Sequence, residues 1–170
     1  MKNVYRKTIE TPLGDMFACA VDEGICLLEF TDRKNIENQF KSLSKSLNAE
    51  IEEKEHHHFK QLESELKEYF EGRREKFEIP LFIKGTDFQQ KVWQLLREIP
   101  MGEIRTYKQQ SEFLGNPKAI RAVGTANGIN KIAILIPCHR VIGSNGELVG
   151  YAGGIWRKQK LLELEKAILF

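Results

Sequence analysis

Residues 106–128, TYKQQSEFLGNPKAIRAVGTANG, decide the architecture of the second half of this chain. Thr106 and Gln109 stand at capping-box spacing, which predicts a helix opening at Tyr107. Gly115 suits its end. Asn116 can then cap a further helix with Pro117 at the first helical position. That helix is short and rich in small residues: Ala119, Ala122, Gly124 and Ala126. Two short helices around a glycine-containing turn read as helix-turn-helix. Few bulky side chains on the second helix let its backbone approach a surface closely, whether another helix or a nucleic-acid groove.

Charge favours the groove. The net charge of +2 conceals an asymmetry along the 170 residues. Residues 1–80 carry 13 Lys/Arg against 17 Asp/Glu, whereas residues 101–160 carry nine basic groups against three acidic ones. A local basic surplus favours a polyanionic partner. Composition is otherwise that of a globular chain, with 41% hydrophobic and 29% charged residues. No stretch approaches the roughly 20 apolar residues of a membrane span, and MKNVYRKTIE lacks the apolar core of a signal peptide. An intracellular, cytoplasmic protein is expected.

Upstream lies a different kind of unit. Residues 3–30 contain short apolar runs broken by TPLGD and DEG, both turn chemistry. Residues 33–49 and 56–71 show helical spacing, the second with Phe59, Leu62, Leu66, Tyr69 and Phe70 on one face and Gly72 at its end. KFEIPLFI then alternates like a strand. The fold class expected is α+β: a small amino-terminal antiparallel-sheet-plus-helix domain over 1–79, a linker over 80–85, and a mainly helical, winged-helix-like domain with helix-turn-helix over 86–170. The second domain begins with TDFQQKVWQLLREIPMG, capped at Thr86 or Asp87 and stopped by Pro100 and Gly102.

Cysteines number three, at 19, 26 and 138. No CxxC pair exists, so a structural zinc site lacks support. Cys19 and Cys26 fall in apolar runs and read as packing residues. The run His56 to His58 reads as a solvated surface tract.

Cys138 sits in KIAILIPCHRVIG. The apolar run reads as a buried strand or extended segment, stopped by Pro137, which would hold the thiol on a rigid frame. A neighbouring His, Arg or Lys favours the nucleophilic thiolate. His139 in an extended chain would point the other way, and the carboxylates able to orient a base are Glu147, Glu163 and Glu165. The residues alone leave a nucleophile, a structural cysteine and a redox thiol all open. GSNGELVGYAGG follows, either a ligand-contacting glycine loop or an ordinary hairpin and loop.

Together GEIRTYKQ, NPKAIRAVGTANGIN, ILIPCHRVIG, GYAGG and LLELE resemble, in order and spacing, the O6-alkylguanine-DNA alkyltransferases, strongly over 86–170 and more loosely before. The resemblance implies irreversible, single-turnover transfer of an alkyl group from guanine O6 to Cys138. It implies that His139 takes the thiol proton, Glu165 orients that histidine, Asn130 holds the turn, and Tyr107 stabilises the departing guanine. Tyr151, Ala152 and Val141 would meet the base. Arg121, Ala119, Ala122, Gly124 and Arg140 would meet DNA, with Arg121 filling the space of a flipped nucleotide in minor-groove binding. The implied partner is double-stranded DNA holding O6-alkylguanine, bound by a monomer without cofactor. Some members hold zinc through amino-terminal Cys and His ligands. Cys19 and Cys26 do not match those positions, so no metal is expected. Ala152 stands where some members have serine, and Lys131 where some have proline. Two other classes remain possible on the residues: a non-catalytic DNA-binding module and a Cys-His hydrolase.

Overall fold

The computed structural model describes residues 3–167 and divides into two compact units, Met1–Lys84 and Gly85–Phe170. The first contains β1 (Val4–Ile9), β2 (Met16–Val21), β3 (Gly24–Phe30), α1 (Ile36–Leu47), β4 (Ile51–Glu53) and α2 (His57–Phe70). Turn residues make the first two connections. The Thr11 hydroxyl accepts from Leu13 N and donates to Gly14 O. At the β2–β3 turn a Cβ on Gly24 would lie 2.5 Å from Pro80 O, so only glycine fits.

Strands run in the order β3-β2-β1-β4. The first three are antiparallel, but β4 pairs parallel with β1. The sheet is therefore mixed rather than antiparallel as expected, because α1 carries the chain back before β4 starts, as a parallel partner requires. Phe40, Leu43 and Leu47 of α1 pack on Val4, Cys19, Val21 and Leu27. Cys19 and Cys26 are both buried, and burial pushes the Cys19 thiol pKa far up.

Two local expectations fail in this unit. KFEIPLFI is no strand: only an isolated bridge links Leu81 to Ile25. Pro80 has no N–H to extend a ladder, but its carbonyl accepts from Ile25 N and Phe82 N donates to Ile25 O. Residues 80–82, expected to start a linker, are thereby tied to β3. Nor is the histidine run simply solvated. His56 caps α2 by accepting from His58 N, and His58 is buried.

The second unit contains α3 (Asp87–Arg97), β5 (Arg105–Thr106), α4 (Tyr107–Phe113), α5 (Ile120–Gly128), a 3-10 turn (Cys138–Arg140), β6 (Val141–Ile142) and α6 (Ile155–Leu164). The expected capping box of Thr106 with Gln109 forms, and of the two cap candidates it is Thr86 that caps α3, in a second capping box with Gln89. Gly115, at φ 83, follows the end of α4. The helix α5 starts at Ile120, not Pro117. Asn116 instead closes a separate turn, its Oδ1 accepting from Lys118 N and its carbonyl from Ala119 N. The Trp93 indole donates to Ala126 O at 2.9 Å and fixes α3 against α5.

The apolar run before the cysteine differs most from expectation. Ile132 to Ile136 are buried, but they form successive turns with Ile134 at φ 72. A left-handed β-branched residue is strained, and burial on every side holds it there. Among the described residues no helix is long and apolar enough to cross a membrane.

Candidate active site

The turn that presents Cys138 is built by Asn130. Its side-chain oxygen accepts from Ile132 N at 2.9 Å, and its amide donates to Ile136 O at 3.0 Å and to Cys138 Sγ at 3.4 Å. One buried side chain thus closes both ends of the strained segment and touches the thiol. Cys138 is half-buried at the start of the 3-10 turn.

That turn, rather than an extended chain, sends His139 inward. Its ring is fully buried, and Nε2 lies 2.8 Å from Glu165 Oε2. A carboxylate oxygen can only accept, so Nε2 carries the proton and Nδ1 keeps its lone pair. Nδ1 has no hydrogen-bond partner among the described residues. Burial lowers the His139 pKa, against the upward pull of the Glu165 charge and hydrogen bond, so the ring is neutral and basic at Nδ1.

Glu165 lies at the end of α6. Burial alone would push its pKa up, but the charges and hydrogen bonds of His139 and Arg140 outweigh it and hold the carboxyl well below its usual range. Arg140 donates from Nε to Oε1 at 2.8 Å, from one terminal nitrogen to Oε2 at 3.0 Å, and from the other to Ile99 O at 2.6 Å. The permanent guanidinium charge keeps Glu165 ionised while His139 stays neutral.

A second group converges from α4. The two-residue parallel pairing of β5 with β6 sets Arg105 opposite Val141 and Thr106 opposite Ile142. It holds Tyr107, the next residue, against the Cys138 turn. The Tyr107 hydroxyl donates to Val149 O at 3.1 Å. Its pKa is raised by burial and then by the Cys138 charge, so it remains a proton donor. Lys158, from α6, is fully buried and donates to Val149 O at 2.8 Å and to Gly150 O at 3.3 Å. Burial pulls its pKa down to about 8, and the Cys138 charge opposes that fall.

The expected site residues therefore fall into groups. Cys138, His139, Glu165, Asn130 and Tyr107 come together. Tyr151 is half-buried and Ala152 exposed in the glycine loop, whereas Val141 is fully buried in β6. Arg121 and Ala122 lie exposed on α5. Ala119 is buried at the start of α5, and a Cβ on Gly124 would meet the Tyr107 ring at 4.0 Å, so neither joins that exposed face. Arg140, expected to meet DNA, is buried with its donors turned to Glu165 and Ile99. Its clamp on the carboxylate escaped the sequence reading, and so did Lys158. The available signal was a rule: a buried cation needs a buried anion.

Comparison with known proteins gives one answer over the whole chain. The family described as 6-O-methylguanine DNA methyltransferase, DNA binding domain, matches residues 87–167. Its companion, the ribonuclease-like domain of 6-O-methylguanine DNA methyltransferase, matches residues 4–83. A methylated-DNA–protein-cysteine methyltransferase of Methanosarcina barkeri is 44% identical over 165 residues, 96% of this chain and 98% of that protein. The constitutive one of Bacillus subtilis is 42% identical over 95% of each chain. The solved Mycobacterium tuberculosis O6-methylguanine methyltransferase superposes with a TM-score of 0.82 at 39% identity, covering 96% of this chain and 93% of that one. A further structure, of the M. tuberculosis OGT in complex with DNA, gives 0.80 at 38% identity, with the same coverage of each chain.

Proposed function

This chain belongs to the 6-O-methylguanine DNA methyltransferase family, and from that premise we propose how its own residues carry the reaction. It is a DNA repair methyltransferase that moves an alkyl group from O6-alkylguanine in DNA to a cysteine of its own. In the proposed assignment the acceptor is Cys138. His139 Nδ1 takes the thiol proton, directly or through one water, and Glu165 with Arg140 stabilises the imidazolium that results. The thiolate attacks the alkyl carbon in line with the C–O6 bond. The S–C bond forms as the C–O6 bond breaks, and the electron pair leaves on guanine. Tyr107 stabilises the negative charge on the departing base by a hydrogen bond to a ring nitrogen, or gives that nitrogen its proton, in which case the base departs neutral and the charge stays on the phenolate oxygen. The thioether has no route back, and each molecule acts once.

The Lys158 ammonium favours the thiolate by charge, and its bonds to Val149 O and Gly150 O hold the loop that carries Tyr151 and Ala152. Those two residues would flank the base. A stacked guanine does not present its O6 substituent for in-line attack, so the nucleotide must flip out. Arg121, exposed on α5, would fill the gap from the minor groove while Ala122 allows close approach. The protein would act as a monomer.

The observation that carries this reading is one half-buried thiol touched by Asn130 and followed by a buried His–Glu–Arg chain. Intact-mass spectrometry after mixing with a duplex holding one O6-methylguanine tests it. The expected result is one added methyl group on the Cys138 peptide, absent in Cys138→Ala, which still binds DNA. Methyl on another residue, or none on the unaltered protein, overturns the assignment.

A further inference from the structure

The three histidines at the start of α2 have no part in alkyl transfer. We propose that His56, His57 and His58 form a site for a divalent transition-metal ion of the zinc type. Each ring offers a nitrogen, and the three lie within 4.8 Å of one another. Tetrahedral zinc, with Zn–N bonds of about 2.0–2.1 Å, needs nitrogens about 3.3 Å apart, a contraction within reach of small side-chain rotations.

The independent observation is His58. Its Nε2 lies 2.8 Å from Asp22 O. A carbonyl only accepts, so Nε2 carries the proton and Nδ1 holds a bare lone pair. That Nδ1 is buried without a hydrogen-bond partner among the described residues, on a residue only 7% exposed. A buried polar atom left unpaired is costly and calls for an explanation. A metal ion supplies one. A ligating histidine commonly donates its other ring N–H to a carbonyl or carboxylate, which fixes the tautomer the ion needs.

The neighbouring rings complete the arrangement. His57 is exposed and packs on His58, with ring centroids 4.2 Å apart, and is free to turn toward the ion. His56 accepts from His58 N through Nδ1 and places Nε2 3.2 Å from the Asp22 carboxylate. On binding it exchanges one of these contacts for the ion. The positive end of α2 opposes a cation, and Asp22 supplies the compensating negative charge. Imidazole nitrogens without thiolate suit zinc, nickel or copper rather than calcium or magnesium. None of the cysteines takes part. The bound ion would join the start of α2 to the β2–β3 turn and stabilise the folded chain, which alone holds the site together.

Calorimetric titration of the full chain with zinc chloride, with cobalt(II) absorption alongside, tests this. One equivalent should bind, raise the thermal midpoint, and give cobalt bands without thiolate charge transfer. His57→Ala removes an exposed ring, so the metal-free protein should keep its urea midpoint while zinc affinity falls more than about tenfold. His58→Ala should do the same to affinity. Absence of binding overturns the proposal. So does unchanged affinity in both variants, or a thiolate-to-cobalt band that puts the ion on cysteine.

Discussion

Replacing Glu165 with Gln separates two jobs that one side chain performs. Glu165 accepts from His139 Nε2 at 2.8 Å and from two nitrogens of Arg140 at 2.8 and 3.0 Å, and it is almost fully buried. Glutamine keeps the shape and removes the charge. The first consequence is energetic: Arg140, 6% exposed, keeps a guanidinium with no anion, and breaking a buried pair in this way costs about 3–5 kcal/mol. The second is chemical. Glutamine has one accepting oxygen, and Arg140 takes it, so its amide N–H₂ faces His139 Nε2. The ring must then protonate at Nδ1, and the lone pair proposed to take the thiol proton is lost. A general base at this step contributes about 10²–10⁴ in rate, so single-turnover transfer from an O6-methylguanine duplex should slow by that factor. Pairing Glu165→Gln with Arg140→Met removes the orphaned cation. With Arg140 gone the glutamine oxygen can turn to His139 Nε2, so urea denaturation should show most of the stability restored and the transfer rate should rise with it. A double variant no faster than Glu165→Gln alone, or a Glu165→Gln rate within about twofold of the parent, would refute the tautomer argument.

Arg121→Ala should slow transfer from duplex DNA while leaving reaction with the free base O6-methylguanine unchanged, because only the duplex has a gap to fill; equal losses on both substrates, in parallel rate measurements, would contradict this. Gly124→Ala should be tolerated, since its new Cβ meets the Tyr107 ring at an ordinary 4.0 Å. It should stabilise α5 by up to about 1 kcal/mol, read from the urea midpoint, whereas Gly124→Leu should displace Tyr107 and slow transfer. Stability should also depend on pH. The folded His139 pKa lies below its unfolded value of about 6.5. Between the two the unfolded chain binds a proton that the fold refuses, so stability is full above about 6.5 and falls as pH drops through that window. Glu165, with its pKa depressed, adds a further loss once pH falls below the unfolded value of about 4.3. A urea midpoint that stays flat from neutral to acidic pH would contradict both assignments.

How much of this was legible in the residues depends on whether the deciding interaction is local. The cap at Thr86 and the capping box of Thr106 with Gln109 could be read because each satisfies backbone donors within one helical turn. The expected HTH pair was legible for the same reason, although Asn116 closes its own turn and moves the second helix on to Ile120. The run at 132–136 could not be read correctly, because apolar residues mark burial and not conformation. What folds it into turns is Asn130 bonding to Ile132 and Ile136. KFEIPLFI alternates like a strand, but among the described residues its one β-bridge is to Ile25, and Glu78 N and Ile79 N donate to the Glu65 carboxylate instead of to a ladder. Arg140 and Lys158 read as surface cations by type, and only their distant partners make them interior.

The histidine proposed as the base takes its orientation from a carboxylate 26 residues further along the chain. During synthesis, Cys138 and His139 therefore emerge before the carboxylate that orients the ring. A chain broken by premature termination or proteolysis ahead of α6 would carry the cysteine with an unoriented imidazole and an unneutralised Arg140. Such fragments would be inert toward alkylated DNA, so the reactivity belongs to the finished second unit and cannot pass to its pieces.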